Sequence, residues 1–492
     1  MATAVIEERE LLKSLRWYDG FVVALANPGF LIGSLGFVIG AIGGYGAMLL
    51  WGISMFLGVM QNWIYSETAS MFPDKPGGIA LYANEGWRKY FTLVGPVATF
   101  GYWFAWSTVL SIFGIVIGTL VQAEWFSGAT WSVYDGSVHL GLAAFIGIGC
   151  ILVVWTANMF GIKPTLWMGY ITGVLLMVPL VCFIIVPYIA GDWHSSNMTM
   201  NIGGAWHGWQ VALVWLYVMG WSAYGVETCA TFAPEYKDTI KDTNRALKTA
   251  AMFSLVVYVL LPLGVTGVTG AADAAKNPYG FYVDAFRTIA GHAGSEVMVV
   301  FLCASLLLSM NTATADGSRA LYGISGDGMT IKQLHHLSKH HIPSRAMTLD
   351  MVMNICLILF LANTLSILVA GNLGYLTAHL FALTGFLLLR KDRKNWPRPI
   401  KLRLIWLPIA AFLALCNLVF LVVGNLYPTL TGYGDLKTTI IGLCVLCISI
   451  VAYLFRRIVQ DRERPHLREQ VPQMPEAQPA VLSPAGVGGG AS

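Results

Sequence analysis

Apolar residues run along this chain in long blocks divided by short polar stretches. From Gly20 to Ser66 there is no Asp, Glu, Lys or Arg. A membrane-spanning helix needs about 20 apolar residues, so this block has room for two spans. The same reading over the whole chain predicts twelve. They lie near 18–42, 47–71, 93–121, 139–158, 164–190, 208–232, 247–270, 294–318, 346–363, 366–389, 404–424 and 438–456. The first 16 residues are charged and mixed in sign, and the first apolar block is a full span. No cleavable signal peptide is therefore expected. From 458 onward the sequence is charged, then rich in Pro, Gly and Ala, with no apolar period, and predicts a disordered tail. The expected organisation is a short segment 1–13, a transmembrane domain 14–457 and a tail 458–492.

Composition agrees with this pattern. Of 492 residues, 56% are hydrophobic and 11% charged, against roughly 25% charged in soluble domains. Mean hydropathy is +0.64. The net charge of +4 says less than its placement. If the N-terminus is inside, 27 of the 30 Lys and Arg residues fall on inner segments, and only Lys276, Arg287 and Lys437 fall outside. Basic residues near span ends stay cytoplasmic, so both termini are expected in the cytoplasm and the membrane is expected to be the cell membrane. All eight cysteines fall within predicted spans, which leaves none for an extracellular disulfide framework. Cys444-x-x-Cys447 has no partner pair and reads as two small apolar residues. Asn197-Met198-Thr199 is a formal glycosylation sequon on an outer loop.

Two spans contain interruptions. Asn27-Pro28-Gly29 combines three residues unfavourable to a helix interior. At membrane depth, non-helical backbone survives only where protein or a cavity receives it. A simple proline kink is the plain alternative. The predicted sixth span carries Gly220, Gly225 and the acid Glu227. Transporters built from inverted repeats interrupt helices at matching places in the two halves. With a five-span repeat, the sixth span is the counterpart of the first. A half-helix exposes N–H groups at one end and carbonyls at the other, a pair suited to a zwitterion or an amine. Ala26, Asn27, Pro28 and Gly29 are thus expected to line a substrate site with Trp221, Ser222, Ala223, Tyr224 and Gly225. Trp221 and Tyr224 can close over an ammonium group, although packing explains most membrane tryptophans.

An acid in mid-span is costly and usually functional, so Glu227 is the candidate coupling residue. Ser309, Asn311, Thr312 and Thr314 give the predicted eighth span a polar stripe, and Ser309 and Asn311 join the coupling or gating candidates. Asp316 and Arg319, three apart, read as an ordinary helix-face pair. The His-rich stretch 335–341 lacks an accompanying acid or Cys, so no metal site is assigned to it. Gly36, Gly40 and Gly44 form two Gly-x-x-x-Gly steps, more readily used for packing inside the bundle than for dimerisation.

Three stretches resemble the amino acid–polyamine–organocation transporter family over nearly the whole domain. They are "WSAYGVETCATFAPEYKDTIKDTNRAL" at 221–247, "YSETASMFPDKPGGIALYANEGW" at 65–87 and "GSRALYGISGDGMTIKQLHHLSKHHIPSRA" at 317–346. In Trp221, Ser222, Gly225, Val226 and Glu227 the first is similar to the arginine/agmatine antiporters. The family's Gly-Ser-Gly-like stretch in span one aligns with Asn27-Pro28-Gly29, or alternatively with Gly33-Ser34-Leu35-Gly36. The resemblance implies an all-α membrane fold of twelve helices in a five-plus-five inverted repeat, with helices one and six interrupted. It also implies a structural role for Glu67.

The expected function is a secondary active transporter that moves an amino acid or related amine by alternating access, as a symporter or an exchanger. A substrate-gated channel or a transport-dead nutrient sensor on the same fold is the alternative. No enzymatic reaction is expected, because no span pair carries a metal constellation or an activated nucleophile. No cofactor, metal or nucleic acid is called for, and the oligomeric state is open. The partners are the substrate, the bilayer and a coupling proton or sodium ion. Proton-coupled relatives can carry a Lys on span five. Here that span has no acidic or basic side chain, only two Tyr and a Cys that could ionise, and Lys163 lies at its edge. Three options stay open: a proton on Glu227, sodium at span-one carbonyls and hydroxyls such as Ser309, or exchange without an ion. The antiporter-like stretch favours a proton or exchange.

Overall fold

The computed structural model describes residues 10–134, 138–360, 364–432 and 434–472. The helices are α1 Trp17–Ala24, α2 Ala26–Met71, α3 Gly78–Trp87, α4 Val94–Ser107, α5 Val109–Trp125, α6 Leu142–Met159, α7 Ile162–Ala190 and α8 Trp209–Ala223. They continue with α9 Thr228–Thr231, α10 Thr239–Lys276, α11 Phe281–Gly326, α12 Ser344–Phe360, α13 Thr364–Asp392, α14 Trp406–Leu426 and α15 Leu436–Phe455. Two short antiparallel strands, β1 Ser132–Tyr134 and β2 His139–Gly141, join α5 to α6. Among the described residues, nine helical stretches are long and apolar enough to cross a membrane by length and composition.

The longest helices kink at glycines. Gly43, Gly270 and Gly291 interrupt α2, α10 and α11 with φ of +79°, +76° and +72°, a region side chains with a Cβ rarely adopt. Each kink falls between apolar blocks or beside one.

Burial sorts the helices. The most apolar windows of Trp17–Met71 and Val94–Trp125 are 89% and 83% buried, whereas those of α6, α7, α14 and α15 are a third buried or less. The first group forms the centre, where α2 packs along α10, α8 and α11, and α4 packs between α11 and α13. The second group presents Phe145, Trp167, Val174, Phe412 and Val451 outward, as a lipid-facing belt would. Gly36, Gly40 and Gly44 face Pro278, Ala275 and Thr266 of the same chain, so that stripe packs inside the bundle.

One end of the bundle carries a cluster of buried ion pairs. Glu67 meets Arg390 at 2.5 Å and Arg398 at 3.3 Å and accepts the Leu402 N–H at 2.8 Å, consistent with a structural pin. The tail differs from its expected disorder over its first residues. Thr92 N–H donates to the Leu467 carbonyl and Glu469 N–H to the Arg88 carbonyl, both at 2.9 Å. The Glu469 carboxylate lies between Arg88 and Arg457 at 2.5 and 2.6 Å. Composition missed this because the docking uses backbone groups and two ion pairs, not an apolar face. Residues 473–492 lie outside the described set, as do residues 1–9 of the expected N-terminal segment.

Candidate functional site

The two interruptions meet in the middle of the bundle. In the first span the break lies at Leu25 (φ −63°, ψ −12°), between α1 and α2, and not at 27–29. Pro28 is the third residue of α2. Its missing N–H falls among first-turn groups that have no intrahelical partner in any case. The residue expected to end a helix therefore helps to start one, which is the usual asymmetry of proline at helix ends. The alternative stretch Gly33–Gly36 lies inside α2. In the sixth span, α8 ends at Ala223, a 3₁₀ turn covers Gly225–Glu227, and α9 follows.

Side chains fix the first break from outside. Thr312 Oγ1 donates to the Val23 carbonyl and Ser309 Oγ to the Ala26 carbonyl, both at 3.0 Å. The Tyr258 hydroxyl donates toward the Asn27 carbonyl at 2.8 Å and lies 2.7 Å from the Ser222 hydroxyl, so one phenol ties both interruptions together. Asn27 Nδ2 contacts Met55 Sδ at 3.7 Å, and its Oδ1 has no hydrogen-bond partner. A Cβ on Gly225 would lie 2.7 Å from that oxygen, so glycine lets the two segments touch. Gly29 does not face the sixth span. A Cβ there would lie 2.2 Å from Ser309 Oγ, so its contact is with α11.

Aromatic rings fill the space beside the breaks. Phe30 stands 5.0 Å from Trp221, 5.2 Å from Trp106 and 5.6 Å from Phe113, between centroids. Trp221 Nε1 donates to the Ala105 carbonyl at 3.2 Å. Tyr224 is buried, its hydroxyl has no partner, and its ring lies 5.1 Å from His379. Glu227 is fully buried. Its Oε1 accepts from Tyr375 Oη at 2.5 Å and Trp106 Nε1 at 3.3 Å, and its Oε2 has no partner. Asn311 sits apart. It accepts from Asn158 Nδ2 and donates to the Thr165 carbonyl, both at 2.9 Å, linking α11 to α6 and α7.

Ala26, Asn27, Trp221, Ser222, Ala223, Tyr224, Gly225 and Glu227 thus gather at the crossing, with Pro28 on its edge. Ser309 joins through the Ala26 carbonyl, while Gly29 and Asn311 belong to the packing around it. The sequence reading missed Phe30, Trp106, Tyr258 and Tyr375. Aromatic residues are 12% of the chain, and nothing in an apolar span marks which of them point inward. Asp316 and Arg319 do not pair as expected. Arg319 binds both carboxylate oxygens of Glu235 and donates from Nη1 to the Ala315 carbonyl at 2.8 Å. A partner 84 positions away in sequence offers no local signal.

The crossing offers carbonyls, an unpaired carboxylate oxygen and an aromatic wall in an apolar bundle, which suits a small polar molecule carrying an amino group. Sequence comparison points the same way. A glutamate/serine transporter of Bacillus subtilis (strain 168), AimA, is 24% identical over 78% of this chain and 73% of its own. A gamma-aminobutyric acid permease of the same organism is 22% identical over 92% and 95%. The D-serine/D-alanine/glycine transporter of Escherichia coli (strain K12) is 25% identical over 54% of each. Residues 19–451 match the amino acid permease family, and the chain belongs to that family of membrane transport proteins.

Proposed function

We propose that this permease is a secondary active transporter for a small amino acid or closely related amine. It would work by alternating access on twelve spans in a five-plus-five inverted repeat, with both termini in the cytoplasm. The observation that carries this reading is the contact of the two interrupted spans, Asn27 against Gly225, beside the unpaired oxygen of Glu227. The relatives that transport serine, glycine and gamma-aminobutyric acid support small substrates, and so does an aromatic wall that leaves little room between its rings.

Proton coupling or exchange accounts for the site better than sodium. A sodium ion needs several free oxygen ligands. Here the span-eight hydroxyls of Ser309 and Thr312 are bonded to span-one carbonyls. The hydrogen-bond partners of Asn311 are neutral, Asn158 and the Thr165 carbonyl. Glu227 is the ionisable side chain at the crossing itself.

The test is uptake of labelled L-serine, glycine, L-glutamate, L-arginine and gamma-aminobutyric acid into proteoliposomes. It follows a thermal-shift screen with the same compounds, since a ligand of the folded state raises its stability. Uptake is expected to survive replacement of sodium by choline and to change in Glu227→Gln. Strict sodium dependence with unaltered Glu227→Gln uptake overturns the coupling assignment. Binding without flux moves the protein to the sensor class.

A further inference from the structure

One buried acid has no part in the substrate reading. Asp316 lies on α11 between the crossing and the Arg319–Glu235 pair. It is fully buried, and among the described residues neither carboxylate oxygen makes a well-aligned hydrogen bond or a salt bridge. Arg319 forms its ion pair with Glu235 instead and donates to the Ala315 carbonyl. The hydroxyls of Thr231, Tyr102 and Thr228 lie around Asp316.

Those hydroxyls lead towards Glu227. Tyr102 Oη is 3.2 Å from Thr231 Oγ1. The Tyr102 ring stands 6.0 Å from Tyr375 and 6.3 Å from Trp106, the two groups that hold Glu227. Thr228 follows Glu227 directly in sequence. Two carboxylates, each with at least one unpaired oxygen, thus share one polar patch in a dry interior. An ionised carboxylate left unpaired in such a place costs several kcal/mol, and two within Coulomb reach are not both ionised cheaply. One shared proton relieves both costs.

We propose that Asp316 and Glu227 form a two-carboxylate proton site, with the Tyr102 and Thr231 hydroxyls as the relay and Asp316 as its inner member. The proton leaves the Glu227 carboxyl by way of the Tyr375 hydroxyl, its hydrogen-bond partner, for the relay. Each hydroxyl passes on its own proton as it accepts one, and the last goes to the Asp316 carboxylate. The pair keeps a charge of minus one throughout. The route ends at the Arg319–Glu235 pair, where the Glu235 carbonyl also accepts the Ser14 and Leu15 N–H groups at 2.8 Å. Parting that closure would open Asp316 to the inner side. The other charged groups acting here are Arg319 and Asp350. Tyr375, Tyr65 and Cys229 are further titratable neighbours of the pair.

This proposal rests on the proton-coupled reading of the crossing, so the experiment separates the two. Infrared difference spectra of purified wild-type and Asp316→Asn protein, titrated across neutral pH, read protonated carboxyls without any substrate. Uptake of L-serine, glycine and gamma-aminobutyric acid under an inward acid gradient, and their exchange at equal pH, read coupling. Asp316→Asn is expected to lose a carboxyl band and about tenfold in gradient-driven uptake, within the usual span of coupling effects, while exchange persists and Asp316→Glu restores the gradient response. A variant that keeps every carboxyl band overturns the acid pair, however the wild type behaves. Equal loss of all transport modes without rescue by Asp316→Glu makes Asp316 structural and also overturns it. Wild-type uptake indifferent to the gradient overturns the coupling reading itself. If Asp316→Asn does not fold, Tyr102→Phe removes only the relay hydroxyl; unaltered gradient-driven uptake in that variant overturns the proposal.

Discussion

Two regions of this molecule bury acids and treat them in opposite ways. At the ion-paired end, Glu85 lies against Lys75 at 2.8 Å, Arg393 at 2.6 Å and Arg88 at 3.4 Å, and Glu67 is similarly surrounded. At the crossing, Glu227 keeps one oxygen unpaired and Asp316 keeps two. A buried acid with several cationic partners is locked in one charge state and one geometry. A buried acid without them is sensitive to whatever proton or amine arrives. The first region therefore holds the scaffold, and the second is left free to respond.

The strongest way to break this contrast is to strip a partner from the paired end. Glu85→Ala leaves the Arg393 guanidinium, itself 2% exposed, without a carboxylate. Orphaning one member of a buried pair typically costs about 3–5 kcal/mol. The thermal midpoint in detergent should fall sharply, and a fall no larger than that of a surface variant would refute the scaffold role. The sign with pH follows. Burial pushes the Glu85 carboxyl up, but the Lys75, Arg393 and Arg88 charges outweigh it and hold the group below its usual 4.5. Its folded-state pKa is depressed, so its stabilisation is present above pH 4.5 and is lost as pH falls through the lowered value. Glu85→Gln should flatten that acid limb.

The next effect is at the crossing and concerns shape. Gly29→Ala would place a Cβ 2.2 Å from Ser309 Oγ and 2.9 Å from the Ser305 carbonyl. Overpacking of this kind costs about 1–3 kcal/mol. It should also drive Ser309 from the Ala26 carbonyl and lower transport. Adding Ser309→Gly should recover part of the stability. If Gly29→Ala is silent alone, α2 and α11 are not in tight contact there.

The same contrast explains what the sequence made legible. Long apolar blocks and the distribution of Lys and Arg gave the helical membrane class, since both signals are local and additive. Glu67 was readable because it sits in a recognisable stretch at the end of a predicted span. The crossing was readable only in outline. Pro28 and Gly29 mark an irregularity, but proline serves a helix start as well as a helix end, and glycine serves close packing as well as a turn. The break therefore lies at Leu25, with Gly29 against Ser309. Arg319–Glu235 and Tyr258–Asn27 join residues far apart in the chain, so no spacing could announce them.

A smaller effect is expected from Trp221→Leu, which removes the indole that faces Phe30 and Phe113 and bonds the Ala105 carbonyl. If the ring covers bound substrate, affinity should fall about tenfold, equivalent to ~1.4 kcal/mol, with yield preserved. The ligand dependence of the thermal midpoint measures this directly. Lower yield with unchanged affinity would assign Trp221 to packing alone.

The smallest effect is expected from Pro28→Ala, and it sharpens the comparison most finely. The new N–H could in principle bond the Ala24 carbonyl and carry the helix across Leu25. Three side-chain hydroxyls oppose that closure, because Thr312, Ser309 and Tyr258 hold the Val23, Ala26 and Asn27 carbonyls from neighbouring helices. The break is thus maintained by tertiary contacts, and Pro28 mainly restricts the unfolded chain. Losing a proline at a compatible position lowers stability by about 0.4–1 kcal/mol, so a small drop in thermal midpoint with normal transport is the expected result. Abolished transport in Pro28→Ala, with the fold intact, would show that the missing N–H keeps the break open. Loss in Tyr258→Phe with Pro28→Ala unaffected would assign that task to the hydroxyl.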